Sequence, residues 1–120
     1  MDAPVAQVID LAALDAAAVA AGGQGAVWSL VTTDLNLNLI RLHAGDAIAE
    51  HVNAELDVIG LVVSGAGVLE VDGQAFSLAP ECLFFIPQGA RRAFRAGDTG
   101  LTYVTCHRRR PALFPRPRQA

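Results

Sequence analysis

Three histidines, one Arg-Arg pair and two cysteines are the side chains whose chemistry could do more than pack. His51 lies in the run Ala47 to Val52, which reads as a strand. There an imidazole can serve as a metal ligand, a general base or a hydrogen-bonded pocket residue. His43 sits beside the turn Ala44-Gly45-Asp46 and His107 precedes three arginines, so exposure is the simpler expectation for both. Arg91 and Arg92 are neighbours, and on a strand successive side chains project to opposite faces, so one of the two turns inward. A buried guanidinium requires an anion, which is either a carboxylate of the protein or a bound carboxylate or phosphate received bidentately. Cys82 and Cys106 lie far apart in apolar runs without Cys-x-x-Cys spacing, and read as reduced, small hydrophobic residues.

The elements that must position these groups are mostly strands. Asp10 reads as an N-cap for a short helix over Leu11 to Val19, which Gly22-Gly23 ends. From Val27 the apolar period shortens. Leu35-Asn-Leu-Asn-Leu39 alternates strictly, as in a strand whose leucines face the core. Ile40 and Leu42 then continue the apolar set on even positions, and a β-bulge near Leu39 would explain the slip. Further runs follow at Ala47 to Val52, Val58 to Val63, Val68 to Val71, Ala75 to Leu78, Leu83 to Ile86, Ala93 to Arg95 and Leu101 to His107. Ser64-Gly65-Ala66-Gly67, Asp72-Gly73, Ala79-Pro80, Pro87-Gln88-Gly89 and Gly97-Asp98-Thr99-Gly100 read as turns between them, Asp72-Gly73 as a two-residue hairpin. About nine short strands and one marginal helix predict an all-β sandwich or barrel.

The 120 residues, 52% of them hydrophobic, suffice for one domain with a real core. The expected division is an arm with a short helix over 1–26, a barrel over 27–110 and a Pro/Arg-rich tail over 111–120. All 12 acidic residues precede residue 108, whereas five of the nine arginines follow residue 107. An acidic body argues against a nucleic-acid partner. No apolar run reaches the roughly 20 residues that span a bilayer, and no basic segment opens the chain. The expectation is a cytoplasmic protein without a membrane partner.

Two stretches resemble the motifs of the cupins, which are jelly-roll barrels. The first cupin motif runs Gly, five residues, His, one residue, His, three or four residues, Glu, six residues, Gly. Here Gly45, His51 and Gly65 match, Asn53 stands at the second histidine, and Val58 takes the glutamate place beside Asp57. The second runs Gly, five residues, Pro, one residue, Gly, two residues, His, three residues, Asn. Here Pro87 and Gly89 match, whereas Glu81 replaces the glycine, Arg92 the histidine and Ala96 the asparagine. The resemblance covers residues 35 to 107 and implies a cupin-type double-stranded β-helix, or jelly-roll barrel, commonly a homodimer.

The resemblance also makes Arg92 the inward arginine and sets His51, Asn53, Asp57 and Arg92 around one pocket. Glu55 and Asp57 are the carboxylates that would neutralise Arg92 if no ligand did. A divalent transition metal would need His51 with irregular partners, Asp57 turned inward by a bulge and His107. Three functions remain open on the sequence: a barrel holding a small polar or anionic organic molecule with little or no metal dependence; a metal-dependent dioxygenase, isomerase or decarboxylase; and a structural or regulatory dimeric module whose pocket is plugged by its own side chains.

Overall fold

The computed structural model describes residues 5–109. The tail expected over 111–120 lies outside them. One helix, α1 (Leu11–Ala20), precedes seven strands: β1 (Gly25–Val31), β2 (Leu35–Leu42), β3 (Ala47–Val52), β4 (Val58–Val71), β5 (Gln74–Leu78), β6 (Leu83–Ile86) and β7 (Arg91–Arg108). Every pairing is antiparallel. This is an all-β jelly roll with one short helix.

Seven strands replace the nine expected because two of the glycine-rich stretches are not turns. Ser64 to Gly67 lies within β4 and Gly97 to Gly100 within β7. The two long strands pair along both limbs, and opposite the single residue Ala66, β7 inserts Gly97 to Gly100. There the chain passes from one sheet to the other. The first limb of β4 and second limb of β7 join β6, β2 and β1; the remaining limbs join β3 and β5. A side chain is impossible at this crossing: Gly65 has φ +77°, and a Cβ there would stand 2.1 Å from the Gly100 carbonyl oxygen.

Leu42, Val62, Leu69, Leu78, Phe84, Ile86, Phe94, Leu101 and Tyr103 fill the space between the sheets. Phe84 meets Phe94 and Tyr103 edge-on at 5.7 and 5.8 Å, and Phe94 stacks on Tyr103 at 4.6 Å. Removing side chains of this size from water stabilises the fold by about 1.5–3 kcal/mol each.

The phase slip in β2 has a cause other than the one expected. β2 pairs with β7 without a shift, and the irregularity lies in the partner strand β1, between Ala26 and Trp28. Ile40 and Leu42 face the core between the sheets, whereas Leu39, fully buried, stands outside that cluster. Both faces of β2 therefore carry buried residues, and α1 reaches the outer one through Asp15. Asp10 caps the helix by accepting from the Ala13 N–H. Asp15 then accepts from the Thr102 hydroxyl at 2.7 Å and lies 3.8 Å from Arg41, residues on the outer face of β7 and β2.

Glu81 adopts φ +73° where the cupin pattern places glycine, a conformation costing a side-chain-bearing residue roughly 1–2 kcal/mol. Glu81→Gly is therefore expected to raise the unfolding free energy by about 1 kcal/mol in urea titrations, net of the added chain entropy. Gly65→Ala is expected to lower it by about 3 kcal/mol or more, because strain and a backbone clash coincide. Equal effects of the two changes would contradict the account of the crossing.

Candidate functional site

Along the first limb of β7, the even positions Arg92, Phe94 and Ala96 are buried and Arg91 and Arg95 are exposed. Alternation thus turns Arg92 inward and Arg91 outward, as the motif register implied. Arg91 lies 3.5 Å from Glu50, both well exposed, a pairing worth less than about 1 kcal/mol. Arg92 is only 5% exposed, and its Nε and Nη2 are buried without a hydrogen-bond partner among the described residues. Burial pushes its pKa below the ordinary arginine value. The guanidinium nevertheless keeps its charge at neutral pH. Its cross-strand neighbours are His51 on β3 and Val71 on β4.

Side chains directly opposite each other in an antiparallel pair share a face. His51 therefore stands on the side of Arg92, at the exposed rim, with its Nδ1–H donating to the Ala49 carbonyl at 3.2 Å. Asn53 spends its side chain on the loop: Oδ1 accepts from the Glu55 and Leu56 N–H groups at 3.0 and 3.2 Å. Its carbonyl accepts from Gly89 N–H at 2.7 Å. Asp57 accepts from the Gln88 N–H at 2.9 Å and is exposed. These bonds tie the 53–57 loop to the 87–89 loop and shape the rim beside Arg92.

The inward carboxylate that a metal site would need is not formed by Asp57. The pairing of β4 with β6 runs unbroken from Val58 opposite Ile86, so Val58 holds the inward place and joins the core. Asp57, one residue earlier, falls outside. With Glu55 and His107 it lines a separate cleft of about 340 Å³, which Leu35, Ile59 and Cys106 share. His51 is not among its lining residues, so the set His51, Asp57 and His107 is not assembled. Among the described residues no group of three or more His, Cys, Asp and Glu side chains could hold a metal ion. A divalent cation where the motif ligands usually converge would meet the Val58 side chain and the positive Arg92. These residues do not fit a metal.

Other expectations resolve by burial. His43 is exposed, and its Nε2–H reaches the carbonyls of Gly22 and Gly23 at 3.3 and 3.2 Å, holding the end of α1. Both cysteines are unpaired. Of the phenylalanines, 84 and 94 are core, whereas Phe76 and Phe85 are 43% and 57% exposed.

One polar residue escaped the sequence reading. Asn36, opposite His107, belongs to the same face of β2 as Ile40 and Leu42, and its Oδ1 is buried without a partner among the described residues. Asn36, Asn38, Ile40 and Leu42 form one inward face, and the leucines at 35, 37 and 39 made the opposite face an equally apolar candidate in the sequence.

The cupin domain profile matches residues 38–106. The chain belongs to the cupin family. No curated protein matches it. Solved structures similar to this cupin include KdgF from a Halomonas species, with 24% identity and a TM-score of 0.63 over 71% of this chain and 80% of that one. A cupin-superfamily sugar phosphate isomerase from Silicibacter pomeroyi has 26% identity and a TM-score of 0.60, over 66% of this chain and 53% of that one. A cupin protein from Bacteroides fragilis has 19% identity and a TM-score of 0.61, over 73% and 76%. Among the described residues, no helix of this cupin is long and apolar enough to cross a membrane.

Incubation with iron, manganese, nickel or zinc followed by dialysis is expected to leave far less than one ion per chain by elemental analysis. His51→Ala should alter neither that content nor the melting temperature. One tightly held ion per chain, lost in His51→Ala, would reverse the conclusion.

Proposed function

We propose that this cupin binds a small organic anion at the open end of its barrel, with Arg92 as the anion-binding residue and without a metal. The buried Arg92 guanidinium, two of whose nitrogens find no partner among the described residues, carries this reading. An unpartnered buried donor costs about 1–3 kcal/mol, and more when charged. A carboxylate or phosphate placed against Nε and Nη2 would neutralise the charge with two parallel hydrogen bonds. His51, on the same face at the rim, would add a second polar contact. Asn53 and Asp57 would act through the loops they hold together rather than by touching the ligand.

Two further observations favour this over a metal-dependent reaction. The inward glutamate place is occupied by Val58, and the cation needed for such chemistry would be repelled by Arg92. The name of the Silicibacter relative, a sugar phosphate isomerase, adds phosphate esters to the ligands worth trying. The Phe84, Phe94 and Tyr103 cluster closes the deeper part of the barrel, so the bound molecule would lie near the rim.

Small carboxylates and sugar phosphates are expected to raise the melting temperature of the wild-type protein. Arg92→Met should abolish that rise while making the ligand-free protein about 1–4 kcal/mol more stable, since an uncompensated buried charge is removed. A destabilised Arg92→Met that still responds to the same anions would refute the assignment.

A further inference from the structure

Arg92 is not the only buried group left without a partner. The described residues contain three such side-chain atoms: Nε and Nη2 of Arg92, which donate, and Oδ1 of Asn36, which accepts. Their places in the sheets bring these opposite needs to the same end of the barrel. β7 crosses between the sheets at Gly97 to Gly100; Arg92 lies eight residues before Gly100, and His107, the partner of Asn36, seven after it. β4 repeats the arrangement, with Val58 seven residues before Gly65 and Val71 six after. Extending the β4–β7 register one place beyond Ile59 opposite Cys106 sets Val58 beside His107. One inward row therefore runs Asn36, His107, Val58, Ile86, and the facing row runs His51, Arg92, Val71. Both rows lie away from the crossing, beyond the stacked Phe94 and Tyr103.

We propose that the ligand held by Arg92 is a small hydroxylated acid, whose anionic group meets Arg92 and whose hydroxyl donates to Asn36 Oδ1. This rests on the reading of Arg92 as the anion-binding residue and adds the other half of the molecule. Facing sheets stand about 10 Å apart, and side chains from both take up much of that distance, so a compact molecule can reach both groups. Burial makes the two needs selective. A molecule with the acid alone leaves Asn36 Oδ1 dry and unpaired, and a buried acceptor built to meet a hydroxyl rejects analogues lacking it. A neutral polyol leaves the Arg92 charge uncompensated. The aromatic floor excludes water from the inner side and contributes apolar contact to the carbon chain.

Calorimetric titration with matched pairs tests this: lactate against propionate, gluconate against hexanoate, and glycerol 3-phosphate against propyl phosphate. The carboxylate and phosphate pairs separate the two sources of the anionic group. In at least one pair the hydroxylated member is expected to bind about tenfold or more tightly than its partner. Asn36→Leu should bring that ratio to about one with the affinity for the deoxy member unchanged, and Arg92→Met should remove binding of both. Asn36→Ala provides the same readout should the leucine variant fail to fold. Equal affinities within every pair for the wild type, still lost in Arg92→Met, would overturn the hydroxyl contact while leaving the anion site standing. An absence of binding by all six compounds would overturn both.

Discussion

The structure depends on one pairing, that of β4 with β7, which continues through a change of sheet. Each strand supplies a limb to both layers, so these two strands build the barrel and the others complete its sides. The crossing works because Gly65 and Gly67 let β4 approach the β7 backbone more closely than any side chain would allow. The alternation of side chains is preserved along each limb on either side of it. The inward positions of one limb of β7 (Arg92, Phe94, Ala96) therefore face those of the other (Leu101, Tyr103, Thr105) across a common interior.

That interior is polar at one end and aromatic in the middle. The rings of Phe84, Phe94 and Tyr103 fill the middle, and burial raises the pKa of Tyr103 above that of a free phenol. Toward one end lies the buried Arg92, with the exposed His51 opposite it on β3. Within the family resemblance, an arginine and a valine stand where a histidine and a glutamate would gather a cation. The fixed positive charge of Arg92 thus stands where the motif would gather a cation.

Much of the framework was legible in the sequence because it rests on local rules. Asp10 caps α1 and Gly22 ends it at φ +68°. Asp72-Gly73 makes the hairpin between β4 and β5 with both residues at positive φ. Other glycine-rich stretches were misread because glycine serves turns and bulges alike. Ser64 to Gly67 and Gly97 to Gly100 have the composition of loops, yet each sits inside a strand whose partner is the other stretch. Nothing local distinguishes a turn from a bend whose partner lies more than thirty residues away.

By itself, the sequence determined the all-β class, the order of the elements and the short capped helix. Each follows from residue type, spacing or the two-residue period of a strand. Tertiary structure alone decided which face of β2 is interior, because both faces are covered and alternation cannot rank them. It also decided that Asp57 stays outside, since a residue just before a strand takes its direction from where the strand's register begins. Finally, it left Arg92 and Asn36 without partners among the described residues, a property of their surroundings and not of either residue.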